Sequence, residues 1–138
     1  MNKALNYLAL ARKAGTAELG EEPVGGAARA GKAYAIIVAK DASDHTWRRA
    51  KAYAAGTEQQ CIRLPYSKDE MGFIIGRQEL AMAAITDAAL ALALVQALPE
   101  QEKYADAIAV LTERVKRQKQ RKKEAQAHQK NVQKGKKK

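Results

Sequence analysis

The residues able to do chemistry in this chain are few, and their spacing argues against most reactions. The two histidines, His45 and His128, are far apart, and neither stands at ligand spacing from the single cysteine, Cys61. Zinc needs three or four converging ligands, so no metal site is expected. Cys61 sits inside "QCIRL", a strand-like run, and reads as a small core thiol. A nucleophilic cysteine needs an activating base, and none is in view. Glu21 and Glu22 are adjacent carboxylates, but acids in a first helical turn favour the dipole there, which is a structural role. Gly72, Gly76 and Arg77 match a phosphate loop only loosely, because the chain has no "GxxxxGK[ST]". Trp47, in "HTWRRAKAY", could stack on a base with Arg48, Arg49 and Lys51 near phosphates. The simpler reading is an aromatic anchor between a helix and a sheet. No enzyme, metal or cofactor is expected.

Charge is the feature that does point to a partner. The net charge is +10, yet residues 1–100 carry 12 Lys/Arg against 11 Asp/Glu, while residues 101–138 carry 13 against 4. A neutral domain therefore bears a basic arm. From residue 114 onward there are 12 basic residues and one acid, Glu124. Arg114, Lys116, Arg117, Lys119, Arg121, Lys122 and Lys123 are the densest part, and such an arm attracts phosphate without reading sequence. The competing reading is a solvated helix face that only adds solubility. The apolar run after Lys3 is short and contains Asn6 and Tyr7, so no signal peptide is expected. No apolar stretch reaches membrane-spanning length, and a lone cysteine allows no internal disulfide. A soluble, cytoplasmic protein follows from these features.

The positioning elements are legible from pattern. "KALNYLALARK" (3–13) puts Leu5, Leu8 and Ala9 on one helical face, with Asn2 as cap and Gly15 as stop. "TAEL" (16–19), "YAIIVA" (34–39), "QCIRL" (60–64) and "AMAAIT" (81–86) read as strands. Residues 43–56 form a helix capped by Ser43, and Ser67 with Glu70 makes a capping box before "MGFII". "DAALALALVQAL" (87–98) is apolar all round, hence a buried helix. Strands alternating with helices predict an α/β sandwich with a parallel or mixed sheet over residues 1–98. A linker at 99–103 leads to a helix from Tyr104, whose stripe of Tyr104, Ile108, Leu111 and Val115 ends before the basic text. The last residues, "KGKKK", are expected to be disordered.

The run "GEEPVGGAARAGKA" (20–33) begins as a helix and then inserts Pro23, Gly25 and Gly26, each glycine weakening a helix by roughly 1 kcal/mol relative to alanine. Taken in order, "LALARKAG", "GEE", "AGKAYAIIVAKDAS" and "LPYSKDEMGFIIGRQELAMAAITD" resemble the ribosomal protein L seven Ae family, nearest its small bacterial YlxQ-like branch. The likeness covers residues 3 to about 98. It implies a three-layer α/β/α sandwich around a four-stranded mixed sheet. It also implies binding of kink-turn RNA through the turn and helix start after the first strand, with the loop after the last strand.

The family motif Gly-x-Asn-Glu-x-x-Lys falls here on Gly20, Glu21, Glu22, Pro23, Val24, Gly25 and Gly26. Glu22 thus stands for the Asn, Pro23 for the Glu and Gly26 for the Lys. An amide both donates and accepts, whereas an ionised carboxylate only accepts and repels phosphate. The family's Thr-Asp-Lys-Gly-Phe loop is Thr86, Asp87, Ala88, Ala89 and Leu90. By resemblance the degenerate site comprises Gly20, Glu21, Glu22, Lys32, Lys40, Thr86 and Asp87. Three readings stay open. They are RNA or ribosome association carried by the arm, retained kink-turn recognition at Gly20, and a protein-interaction or oligomerisation module through residues 104–115. The domain itself is expected to be monomeric.

Overall fold

A computed structural model describes residues 2–136, with side chains through residue 128. In chain order it contains α1 (Lys3–Lys13), β1 (Ala17–Leu19), α2 (Glu21–Arg29), β2 (Ala35–Val38), α3 (Asp44–Ala54), β3 (Gln60–Arg63), α4 (Lys68–Ile74), β4 (Met82–Ile85), α5 (Ala88–Gln96) and α6 (Ala105–Lys136). The sheet order is β1-β4-β2-β3, with β4 antiparallel to both neighbours and β2 parallel to β3. The expected mixed four-stranded α/β architecture is therefore present, with each strand one or two residues shorter than its sequence run.

Helices cover both faces of the sheet. α1 packs with α4 and α5, and α6 lies across α5; α2 packs with α3 on the other side. That arrangement explains why β2 and β4, the central strands, are buried at every position rather than alternately. Ile36, Ile37, Val38, Met82 and Ile85 form the middle of the core, with Leu8 and Leu94 from above and Val24 from below. α5 reads as apolar all round because it is enclosed by the sheet, α1 and α6 together.

The local signals match the built elements. The side chains of Asn2, Ser43 and Asp87 cap α1, α3 and α5, and Ser67 and Glu70 form the reciprocal box at α4. Each such cap contributes about 1 kcal/mol. Buried Gln59 clips three segments together: its Oε1 accepts from the Ala33 amide, and its Nε2 donates to the Ala28 carbonyl. After α5, Glu100 takes a left-handed turn (φ 54°) into a 3-10 turn at Gln101–Tyr104, which swings the chain into α6. α6 continues to Lys136, so residues 134–136 are helical where disorder was expected; Lys137 and Lys138 lie outside the described residues.

The glycines separate into different roles. A methyl group on Gly72 would come within 2.6 Å of the Glu79 Cα and 2.7 Å of its N, so α4 and the chain leading to β4 can approach only across a hydrogen atom. Gly76, at φ +76°, then makes the turn, and the phosphate-loop likeness is purely structural. Gly25 seats the Tyr53 ring of α3 and so contributes packing besides weakening α2, whereas Gly26 faces open space. Gly72→Ala is expected to destabilise by about 1–3 kcal/mol through overpacking against backbone. Gly26→Ala is expected to stabilise by about 1 kcal/mol. Urea unfolding of both variants measures the two signs; equal midpoints would contradict the close approach at Gly72.

Candidate nucleic-acid interface

Gly20 starts the site because only glycine readily takes its conformation, φ 96° and ψ 165°. Its amide donates to the Met82 carbonyl at 2.9 Å, and its own carbonyl accepts from Val24 at 3.0 Å, so the turn is held by β4 and by α2. Pro23 falls in the first turn, where no amide donor is needed. Glu21 does not face a ligand: its carboxylate pairs with Arg49 of α3. The Tyr53 side chain, and then Glu21, hold that guanidinium above its ordinary pKa. Of the two acids only Glu22 is fully at the surface.

Along the outer side of α2 runs an open groove of about 460 Å³, walled by Pro23, Gly26, Ala27 and Ala30 and closed by Glu18, Lys32 and Thr86. Thr86 is placed there by its amide, which donates to the Thr16 carbonyl at 2.8 Å. Asp87, next to it, is occupied: its Oδ2 accepts from the Leu90 amide at 2.9 Å and caps α5. The groove offers one ammonium, one carboxylate and one hydroxyl against a wall of methyls and a bare glycine. Such a wall can touch RNA but supplies no side-chain donor to a base edge.

Lys40 is not part of this groove. It follows β2 on the β3 side of the sheet and lines a separate cleft of about 540 Å³ with Arg63 and Lys103. There its carbonyl accepts from Arg63 Nη2 at 2.9 Å. The resemblance placed Lys40 with Gly20 and Thr86; β4 lies between β1 and the β2 strand that Lys40 follows, and Lys40 leaves the end of β2 opposite to Thr86. Cys61 lines the same cleft, and burial pushes its thiol up to about 11. Trp47 is half-buried against the core, with Lys51 and Arg63 each 5.4 Å from its ring centre, so it is an anchor carrying two cations.

The basic arm divides in two. Leu111 of α6 is wholly buried in the body. One turn on, the Arg114 guanidinium lies 4.1 Å from the centre of the Tyr34 ring and 3.7 Å from Glu58. Arg117 Nη2 donates to Glu58 Oε2 at 2.8 Å. That hydrogen bond is the main reason the Glu58 carboxyl titrates below the usual carboxylate range. The clasp is therefore complete above the ordinary carboxylate pKa and is lost as pH falls through the lowered value. Past Gln118, every residue from Lys119 to His128 is exposed. Of the seven cations singled out in the sequence, Arg114 and Arg117 are thus engaged with the body. Lys116, Lys119, Arg121, Lys122 and Lys123 face solvent. The signal for this was available: Arg114 is three residues after Leu111 and so shares its face. Glu58, the partner, carried no sequence signal.

Among the described residues no group of three or more His, Cys, Asp or Glu could hold a metal ion, and no helix is long and apolar enough to cross a membrane. No protein-family model matches the sequence, and no curated protein matches it significantly. Solved structures do match. A protein of unknown function from Bacillus halodurans is 27% identical, with a TM-score of 0.66 over 72% of this chain and 100% of that one. The Giardia lamblia 15.5 kD RNA-binding protein is 17% identical, with a TM-score of 0.60 over 73% of this chain and 86% of that one. Both share this fold. The match to the whole of the Bacillus protein leaves over a quarter of the present chain without a counterpart there.

A raised thiol pKa has a direct readout. Relative to an ordinary thiol at 9.0, Cys61 at about 11 holds roughly a hundredfold less thiolate at neutral pH. Its reaction with a disulfide reagent is expected to be correspondingly slow and to rise only at strongly alkaline pH. A midpoint near 9 would show an unshifted thiol and contradict the burial effect, and one well below 9 would show an activated cysteine.

Proposed function

We propose that this chain is a non-catalytic, cytoplasmic RNA-binding protein of the ribosomal protein L seven Ae type, in its YlxQ-like branch. Its folded body is a degenerate kink-turn reader, and its basic arm supplies most of the affinity. The observation that carries this reading is the division of α6 at Gln118: a docked root, then a stretch from Lys119 to His128 exposed on every side and rich in cations. The stretch 119–136 spans about 27 Å at 1.5 Å per residue, enough to follow several phosphates. Shared fold with an RNA-binding protein supports RNA as the partner. The resemblance to ribosomal proteins makes ribosomal RNA, or the ribosome itself, the natural target.

Lysines and arginines spaced three and four apart, as at Arg117/Arg121 and Lys119/Lys122/Lys123, repel one another in a free helix. Phosphates relieve that repulsion, so binding and helix formation reinforce each other. Glu18 in the groove and Glu22 at the start of α2 work against phosphate, and with Gly26 at the family's Lys position Lys32 is the groove's one cation. The body therefore contributes position rather than readout. The alternative interaction module through residues 104–115 loses its surface, because Leu111 and Ile108 pack on the chain's own core.

Exchanging Lys119, Arg121, Lys122 and Lys123 for glutamine in the full chain should weaken duplex-RNA binding and lower the salt slope by about three units. Ending the chain after Gln118 removes nine cations and should lower affinity and slope further, with the thermal midpoint of the body unchanged. Unchanged affinity of either variant at low salt would refute the arm as the source of binding.

A further inference from the structure

Among the described residues only two large apolar side chains are well exposed: Phe73 at 83% and Leu10 at 49%. Phe73 is the single phenylalanine of the chain. It stands on α4 at the rim of a groove of about 460 Å³ between α4 and α1, floored by Leu5 and Ile74. Past Ile74 the depression continues along α1 for about another 440 Å³, beside Ala9. Leu10 is on the same helix, four residues after Asn6, which lines the groove. A lone exposed apolar residue needs no explanation, but one standing beside an apolar groove marks a contact site.

The two ends of this depression have opposite charge. Asp69 and Glu70 border the end near the start of α1, and Arg12 and Lys13 border the other. Glu70 already caps its own helix, whereas among the described residues Asp69, Arg12 and Lys13 form no ion pair. A surface that is acidic at one end, basic at the other and apolar between is complementary to itself when turned end for end. That is the requirement of a two-fold interface, in which the same patch meets its own copy.

We propose that the α1–α4 groove docks a second copy of this chain. Phe73 of each protomer enters the groove of its partner beside Ile74, and the acidic end of one groove faces the basic end of the other. Because Ile74 belongs to both halves of the depression, Phe73 lies near the two-fold axis, where buried aromatic anchors carry most of an interface's energy. The surface is separate from α6 and from the α2 groove, so dimerisation and RNA binding can be tested apart. It stands against the sequence-based expectation of a monomer, and the same measurement decides between the two.

The experiment is sedimentation of the nucleic-acid-free full chain from low micromolar to hundreds of micromolar. A monomer–dimer equilibrium is expected. Phe73→Ala, at an exposed position that leaves the fold intact, is expected to weaken it about tenfold or more. Lys13→Glu and Asp69→Lys are each expected to weaken it, and the double variant to restore it, because each new charge then meets its new opposite across the axis. A monomer throughout, a dimer indifferent to Phe73→Ala, or a double variant no stronger than the singles would overturn the proposal.

Discussion

The burial of Leu111 decides what this molecule is. A leucine removed from water contributes on the order of 1.5–3 kcal/mol, whereas exposed ion pairs contribute little. Leu111 therefore supplies the adhesion of α6 to the body. Arg114 on Tyr34 and Arg117 on Glu58 set the direction in which the helix leaves. From Lys119 to His128 no apolar side chain pulls the helix down, and that stretch is a polar, cationic rod. The same residues fix where the body ends. A chain cut before α6 would uncover α5 and remove Leu111 from the core.

On the proposed reading, the α2 groove keeps the shape of the site it resembles while carrying different side chains. Gly20 keeps the turn because its amide bonds to β4 and its φ admits little else. Glu21 is retained by Arg49, and Asp87 by the first turn of α5. Each of these residues has a structural reason to stay that is independent of any ligand. Glu22 and Gly26, two of the three positions that differ from the motif the chain resembles, have no such tie, and the third, Pro23, fits the first helical turn. Backbone geometry and surface chemistry are held by different constraints, so one can drift while the other stays.

What could be read from sequence follows the range of the interaction. Asn2, Ser43, Ser67/Glu70 and Asp87 act on residues three positions away; the first three caps were legible, whereas Asp87 was read as a site residue. Asp87 also separates the alanine-rich strand β4 from the alanine-rich helix α5, where composition alone could not. The central strands were legible as unbroken apolar runs. Contacts between distant segments were not: Glu58 and Arg117 are 59 residues apart, and nothing local announces the pair. The placement of Lys40 required the strand order, and the use of Gly25 required knowing that Tyr53 of α3 lies against it. Phe73 read as one more apolar residue in "MGFII" until the orientation of α4 exposed it.

The central claim is that affinity resides in the arm and that the groove no longer reads RNA structure. The most direct test is a titration of the full chain against a kink-turn RNA and the same duplex with its G·A pairs replaced, at matched salt. The account predicts equal affinity for the two, with the same salt slope. A clear preference for the kink-turn would contradict it, and would mean that Gly20, Thr86 and the backbone around them still recognise the bend.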